Sequence, residues 1–367
     1  MPDFIPAARP IIGDDERAAV DRVLRSGMVA QGPEVAAFET EFGQAMVEGR
    51  DCVAVNSGTS GLHLGLLAAG VGPGDEVIVP AFTFAATGNA VALTGATPVF
   101  ADIELETYTL DPASVESKVT DRTKAIMPVH LYGHPARMDE LGRIAEQHGL
   151  MIFEDAAQAH GAQWQGRPVG TFGTFGMFSL YPTKNMTSGE GGMVSVDGPE
   201  MRRTLRLLRN QGMETQYQNE LVGFNNRMTD IHAAIGRVQL TKVIGWTRQR
   251  QRNAAVLDAG LRGVQTPVVL DGAEHVYHQY TVRLPEALAE RRGEMLARLK
   301  DEFGIGTGIY YPVPTNELPS FNEPVDLPRT RIATAGVFSL PVHPSLTEQD
   351  LQRIVDAVNT VVEEAGA

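Results

Sequence analysis

The 367-residue chain has one cysteine, Cys52, so no disulfide can form within it. No stretch approaches the roughly 20 consecutive apolar residues that a membrane-spanning helix needs. Residues 1–12 also lack the basic flank and apolar core of an export signal. These absences predict a cytoplasmic protein with no membrane partner.

Basic residues are in deficit, because 31 Lys and Arg face 45 Asp and Glu and give a net charge of −14. Nucleic acids and anionic membranes bind basic surfaces, so neither partner is expected. Small anionic ligands remain compatible, since a local group of backbone amides can bind phosphate on an acidic protein. The hydrophobic content of 43% is typical of a globular enzyme.

Metal-binding motifs are also missing. His130 and His160 could act as ligands, but neither has a partner at the spacing of HExxH or CxxC. We interpret both as polar histidines of the core or its rim, and we predict no metal.

Short apolar segments alternate with helical patterns over the first 200 residues. Such alternation predicts an α/β fold with a mainly parallel sheet covered on both faces, and with ligands at the carboxyl ends of the strands. Helical spacing occurs at 15–27, 33–46, 60–70, 85–95 and 138–149. The strand candidates are CVAV, DEVIVP, TPVFADI, KAIMPVH, LMIFEDA and MVSV.

The composition shifts near residue 245, where WTRQRQRNAAVLDAGL predicts a long helix with a polar face. Strand and helix patterns alternate again after it. Because a chain of this length exceeds one small core, we predict a large domain at 1–245 and a smaller α+β domain at 246–367.

Lys184 lies in FSLYPTKNMTSGEGG (178–192), between an apolar segment and a turn rich in glycine. Burial lowers the pKa of a lysine and makes its amine nucleophilic, so Lys184 is a Schiff-base candidate. An ordinary lysine in a surface loop is the alternative, and this segment alone leaves both open.

A second candidate follows the strand CVAV, where NSGTSGLHLGL places small and hydroxyl residues between a strand and a helix. Free amides at a helix N-terminus with glycine beside them can hold a phosphate. Simple N-capping by Thr59 or Ser60 is the commoner use of such residues. The candidate phosphate positions are Gly58, Thr59 and Ser60.

Asp155 stands at the carboxyl end of the apolar strand in LMIFEDA and needs a partner if it is buried. A protonated pyridine nitrogen would serve, with Gln158 placed to orient a ring substituent, whereas a helix cap is the alternative use of the aspartate. An amine, an acid and a phosphate site together fit one ligand, pyridoxal phosphate.

Six segments make the whole chain resemble the DegT/DnrJ/EryC1/StrS sugar aminotransferases, which are fold type I enzymes using pyridoxal phosphate. The resemblance implies a seven-stranded-type sheet flanked by helices and a smaller C-terminal domain. The segments are NSGTSGLHLGL (56–66), GDEVIVPAFTFAAT (74–87), FEDAAQAHG (153–161), FSLYPTKNMTSGEGGMV (178–194), GFNNRMTDIHAAIG (223–236) and GIGTGIYYPVP (304–314).

The resemblance also implies residue roles. Lys184 matches the lysine that bonds the cofactor and shuttles a proton, and Asp155 matches the partner of the pyridine nitrogen. Gln158 matches the residue near the ring hydroxyl, and Phe84 matches the aromatic that stacks on the ring, although core packing is the alternative for Phe84. The phosphate-binding positions match Gly58, Thr59, Ser60, Ser179 and, from the neighbouring subunit of a homodimer, Asn225. An ordinary strand hydroxyl is the alternative for Ser179.

The implied reaction passes an amino group from glutamate or glutamine to a nucleotide-linked ketosugar by a ping-pong mechanism. Two departures concern the sugar: TNELPSF (315–321) follows YYPVP where many relatives have a histidine, and Asn226 replaces a common aromatic. A same-fold dehydratase is disfavoured because related dehydratases have histidine in place of Lys184. The sequence also leaves open a cyclitol aminotransferase, an aminobenzoate-type synthase and a non-catalytic regulatory homologue.

Overall fold

The computed structural model describes residues 3–366, and a seven-stranded sheet lies at its centre. The strands are β1 Asp51–Val55, β2 Glu76–Pro80, β3 Thr97–Ala101, β4 Thr123–Ile126, β5 Met151–Asp155, β6 Gln163–Trp164, β7 Arg167–Pro168, β8 Phe175–Ser179, β9 Gly192–Val196, β10 Ala273–Glu274, β11 Tyr280–Arg283 and β12 Val337–Leu340.

The central sheet has the order β1-β9-β8-β5-β4-β2-β3. Strands β3, β2, β4, β5 and β8 pair in parallel, whereas β9 runs antiparallel to both β1 and β8. All six predicted strand segments belong to this sheet, so the predicted α/β class with a mainly parallel sheet is confirmed.

Helices cover the central sheet and also form much of the C-terminal part of the chain. They are α1 Asp14–Ser26, α2 Pro33–Met46, α3 Gly58–Ala68, α4 Ala86–Leu93, α5 Pro112–Glu116, α6 Met138–His148, α7 Pro199–Arg209, α8 Asp230–Gly260, α9 Arg292–Asp301, α10 Pro328–Gly336 and α11 Glu348–Gly366, with short 3₁₀ helices at Leu131–Gly133, Glu286–Arg291 and Thr315–Glu317.

Both faces of the sheet are buried, which explains the continuous apolar strands. In β1, Val53 and Val55 join one hydrophobic cluster while Cys52 and Ala54 join another. Because neighbouring side chains of a strand point to opposite faces, these two clusters lie on opposite sides of the sheet. Apolar residues therefore follow one another along the strand, without alternation.

Helix α3 lies unusually close to β8 because glycines face the strand. A Cβ atom added at Gly65 would lie 2.7 Å from the Phe175 ring, and one added at Gly61 would lie 2.9 Å from Met177 Cγ. Glycine is needed at both positions for this approach. The close packing fixes the N-terminus of α3 beside the carboxyl end of β8.

Most residues of a further hydrophobic cluster come from the C-terminal part of the chain, including Val282, Leu340 and Ile354, and Ile5 of the N-terminal segment joins them. Helix α8 begins at Asp230, earlier than the helix predicted from residue 246, and continues without interruption through the predicted domain boundary. The division into 1–245 and 246–367 stays a prediction. Within residues 3–366, no helix combines the length and the apolarity needed to cross a membrane, and the cytoplasmic location also stays a prediction.

Candidate active site

A pocket of about 490 Å³ opens at the carboxyl ends of strands β1, β2, β5 and β8. This volume lies within the range of roughly 300–1,000 Å³ that is common for small-molecule sites. Seven of the residues predicted from the sequence line it: Gly58, Thr59, Phe84, Asp155, Gln158, Ser179 and Lys184.

Lys184 lies in a turn after β8. Its backbone N–H donates a hydrogen bond to the backbone carbonyl oxygen of Tyr181 at 3.0 Å. Its side chain is partly exposed in the pocket and forms no ion pair with any residue of 3–366. Desolvation by the surrounding protein lowers the pKa of Lys184 to about 8, and the negative charge of Asp155 opposes this effect. The amine is therefore neutral in part near pH 7, as a nucleophile or a general base requires.

Asp155 ends strand β5 and is buried at the pocket floor. Its Oδ2 accepts a hydrogen bond from Thr87 Oγ1 at 2.8 Å, and its Oδ1 accepts one from the Ala157 N–H at 3.1 Å. Burial raises the pKa of the carboxyl group, while both hydrogen bonds and the charge of Lys184 lower it. A cationic N–H in the pocket would relieve the remaining cost of the buried charge.

Thr87 is a site residue that the sequence did not reveal. It lies in α4, and its hydroxyl is also 3.0 Å from that of Thr83, so a chain of two threonines leads to Asp155. Thr83 precedes the start of α4 at Ala86 and stands four positions before Thr87. That spacing gave no sign of a carboxylate partner 68 positions away.

The N-terminus of α3 faces the pocket. Ser57 caps the helix, because its Oγ accepts the Ser60 N–H at 3.1 Å, so the expectation of a cap at Thr59 or Ser60 is wrong. The first-turn amides of an α-helix have no acceptor inside the helix. Those of Gly58 and Thr59 thus remain available where the two residues line the pocket.

Ser179, at the end of β8, approaches the same helix terminus. A Cβ atom added at Gly58 would lie 3.1 Å from the Ser179 Cβ and 3.1 Å from the Met177 Sδ. Candidate phosphate-binding residues from two distant segments therefore lie side by side. Ser60 does not line the pocket, but Ser57 does. The Ser60 hydroxyl lies 2.9 Å from the Ser57 hydroxyl.

Phe84 is 59% exposed at the pocket rim, which excludes core packing as its role. Its ring lies 5.9 Å from that of Tyr311, between centroids. Gln158 lies deeper, where its Oε1 accepts the Tyr132 N–H at 2.7 Å and its Nε2 donates to the Tyr311 hydroxyl at 3.2 Å. Tyr132 has a left-handed backbone with φ 59°, so Gln158 stabilises a costly turn.

Asn225 lies outside the pocket and is exposed in the single chain. It pairs with Asn210 in an isolated bridge. His278, in contrast, lines the pocket and was not predicted, since a histidine without a partner motif carries no signal in the sequence. It is buried, its Nδ1 has no hydrogen-bond partner within residues 3–366, and burial lowers its pKa.

His130 and His160 are fully buried, as the interpretation of polar core histidines predicted. His130 Nε2 lies 3.1 Å from Glu154 Oε2 and so belongs to a structural network. Glu154 also accepts backbone hydrogen bonds from Gly170 at 2.6 Å and Phe172 at 2.7 Å. His160 packs against Phe178, and burial lowers its pKa to about 3.

The parallel sheet, the lysine turn and the strand-end aspartate define an aminotransferase that uses pyridoxal phosphate. The chain belongs to the DegT/DnrJ/EryC1/StrS aminotransferase family, whose model matches residues 10–359. This confirms both the predicted family and the predicted cofactor.

Individual relatives are similar over nearly their whole length. A dTDP-3-amino-3,4,6-trideoxy-alpha-D-glucose transaminase of Streptomyces venezuelae is 44% identical over 349 residues, covering 93% of this chain and 90% of that protein. The crystal structure of S. venezuelae DesV in complex with a ketimine intermediate has a TM-score of 0.91 and 40% identity, covering 98% and 99% of the two chains. The PLP form of the putative sugar aminotransferase Spr1654 from Streptococcus pneumoniae has a TM-score of 0.94 and 28% identity, covering 99% of each chain.

Proposed function

We propose that this enzyme transfers an amino group from glutamate or glutamine to the keto group of a nucleotide-linked sugar. The observation that carries the proposal is the convergence of a lysine, a buried aspartate and free helix amides on one pocket. The similarity to a transaminase named for a dTDP-linked amino sugar supports the substrate class.

The residues of the pocket fit pyridoxal phosphate. Lys184 offers an amine with a lowered pKa, Asp155 offers a buried carboxylate, and the amides of Gly58 and Thr59 offer a phosphate site. When bound, the cofactor supplies an electron sink next to the reacting carbon. We assign the remaining contacts to Ser60 and Ser179 at the phosphate, and to Phe84 and Gln158 at the ring.

The side chains of this protein handle the protons. Lys184 Nζ removes the proton from the α carbon of the amino-acid donor, and its neutral fraction limits this step. The hydrogen bonds from Thr87 and Ala157 favour the charged form of Asp155 against the effect of burial, which supports its role as the partner of a cationic N–H. Donor and sugar react beside the same lysine in turn, and the oxoacid leaves before the sugar enters, so the proposed mechanism is ping-pong.

We also propose a homodimer with shared active sites. Asn225 is exposed and does not line the pocket of its own chain. Both observations suit a residue that contacts the phosphate bound by a second copy. Neighbouring apolar side chains are exposed on the same segment, including Val222 at 91% and Phe224 at 36%. Such exposure is typical of an interface.

The test separates the two half-reactions. The holoenzyme is incubated with glutamate or glutamine alone, and the oxoacid is quantified; after removal of the donor, dTDP-, UDP- and GDP-linked 3-keto and 4-keto sugars are added. We expect one oxoacid per active site, followed by an amino sugar from one ketosugar class. Lys184→Ala should abolish both products, while Lys300→Ala, which removes an exposed lysine of α9, should leave both unchanged.

Different products would identify a different function. A sugar product that loses a hydroxyl without gaining nitrogen would identify a dehydratase. Amination of a cyclitol but of no nucleotide sugar would identify a cyclitol aminotransferase. An oxoacid yield near zero with bound cofactor would contradict the proposed transfer and favour a regulatory homologue.

A further inference from the structure

A second, smaller cavity adjoins Lys184. It has a volume of about 20 Å³ and lies between residues 9–11, the turn at 182–187 and helix α8. Three basic side chains, those of Arg9, Lys184 and Arg250, line it, and no acidic side chain does. A basic cavity is unexpected in a chain with a net charge of −14.

Arg250 gives the strongest indication that the cavity binds an anion. Arg250 is only 7% exposed, yet its guanidinium forms no ion pair with any residue of 3–366. Nη1 donates to the Tyr277 backbone oxygen at 3.2 Å, whereas Nε has no hydrogen-bond partner within the same residues. Burial lowers the pKa of Arg250 to about 10, and no neighbouring acid opposes this effect. A buried guanidinium without a counter-charge is costly, so an anion from outside the chain would stabilise it.

Other groups in the cavity suit an anion. Trp246 lines it and offers an indole N–H, which is a donor only. The volume of about 20 Å³ exceeds the roughly 10–15 Å³ that one water needs and is far below the 490 Å³ of the main pocket. One small group can therefore enter, but a nucleotide or a sugar cannot.

We propose that this cavity binds one small monovalent anion of the carboxylate class between Arg250 and Arg9. Lys184 lines both this cavity and the main pocket, so the bound anion lies beside the reacting amine. A carboxylate of the amino-acid donor and a free anion from solution share this chemistry. Only the first source rests on the proposed function.

The binding test uses acetate as the probe and the holoenzyme as the protein. Calorimetric titration at constant ionic strength should detect one acetate per chain. Arg250→Gln should weaken acetate binding at least tenfold, whereas Arg248→Gln, an exposed arginine of the same helix, should not change it. No acetate binding by the unmodified enzyme, or equal binding by Arg250→Gln, would overturn the proposal.

Arg9→Gln guards against a folding defect, because Arg9 is exposed and its replacement does not disturb the core. We expect this variant to weaken acetate binding severalfold with an unchanged melting temperature. If Arg250→Gln does not fold, acetate binding by Arg9→Gln equal to that of the unmodified enzyme contradicts the proposal.

A second arm identifies the source of the anion. If acetate raises the KM for glutamate in the donor half-reaction without changing kcat, the cavity binds a carboxylate of the donor. An unchanged KM at saturating acetate assigns it to a free anion, and both results support the site. Absence of amino transfer with acetate still bound would contradict the proposed function alone.

Discussion

Lys184 and Asp155 share a pocket, and burial acts against the charge of each. It lowers the pKa of the lysine and raises that of the aspartate, while each charge partly relieves the other. With a pKa of about 8, roughly a tenth of the Lys184 amines are neutral at pH 7, compared with fewer than one in a thousand for an exposed lysine. The pocket thus prepares the amine before any ligand binds.

This leads to a prediction for the apoenzyme, in which the amine is free. Trace labelling with acetic anhydride should modify Lys184 at half its maximal rate near pH 8, because only the neutral amine reacts. Asp155→Asn should move this midpoint to lower pH, since the Asp155 charge raises the pKa of Lys184. Mass spectrometry of the peptide, with the Lys300 peptide as the rate reference, gives the profile. A midpoint near the ordinary value of about 10.4 would refute the role of burial.

Thr87 gives a second prediction at the scale of one hydrogen bond. Thr87→Val keeps the shape of the side chain but removes the donor to Asp155, so the buried carboxylate loses one of its two partners. We expect the free energy of unfolding to fall by about 1–3 kcal/mol at neutral pH. The pKa of Asp155 should rise further, and affinity for the cofactor should fall with it.

Thr87→Ser is the matched control, because it keeps the hydroxyl and should recover most of both losses. Urea unfolding of the apoenzyme measures the stability, and equilibrium dialysis measures the cofactor affinity. Equal unfolding free energies for Thr87→Val and the unmodified protein would show that the hydrogen bond does not stabilise Asp155.

At the scale of elements, the N-terminus of α3 depends on its packing against β8. Gly58→Ala would place a Cβ 3.1 Å from Met177 Sδ and 3.1 Å from Ser179 Cβ. The helix terminus and these two side chains must then separate by a few tenths of an ångström, which we expect to cost about 1–3 kcal/mol of stability. Because the Gly58 and Thr59 amides move with it, affinity for the cofactor phosphate should also fall.

Gly142→Ala provides the control for glycine replacement in a helix. An added Cβ at Gly142 of α6 meets no atom within 4 Å, so this change should stabilise the protein by about 0.5–1 kcal/mol. Thermal unfolding of both apo variants and titration with pyridoxal phosphate test the pair. If Gly58→Ala also stabilised the protein, the close contact of α3 with β8 would have no energetic role.

The sequence was sufficient to predict the elements that local patterns specify. The strands are continuous apolar segments because both faces of the sheet are buried, and the pocket residues follow their carboxyl ends. The start of α8 was missed, although the cap Thr229 and the acidic Asp230 are ordinary signals of a helix N-terminus. Asp230 also binds the Gly32 and Val35 amides, a contact that helix patterns do not reveal.

Partners across the fold could not be predicted, because they depend on topology. The bond of Thr87 to Asp155 requires α4 to lie over the end of β5, and the bond of Gln158 to Tyr132 requires a strained turn. His278 also lines the pocket, although it follows α8 in the sequence and is distant from the other pocket residues along the chain. Residue type alone indicates which groups need a partner, but not which group supplies it.

At the scale of the whole molecule, one segment stands out by its exposed apolar side chains. Tyr217 is 85% exposed and Val222 is 91% exposed, and both lie near Asn225 along the chain. Apolar side chains that cluster on a protein surface mark interaction sites. A symmetric dimer would cover this segment in both copies and carry each Asn225 to the pocket of the other.

Subunit mixing tests this shared arrangement. Lys184→Ala dimers lack the amine in both sites, and Asn225→Ala dimers should lack a phosphate contact in both. In a mixed dimer, the subunit that keeps Lys184 receives an intact Asn225 from its partner, so one of the two sites is complete. Random exchange at equal amounts should therefore recover roughly a quarter of the unmodified activity, since half of the dimers are mixed. Activity no greater than the sum of the separate variants would place Asn225 at the site of its own subunit.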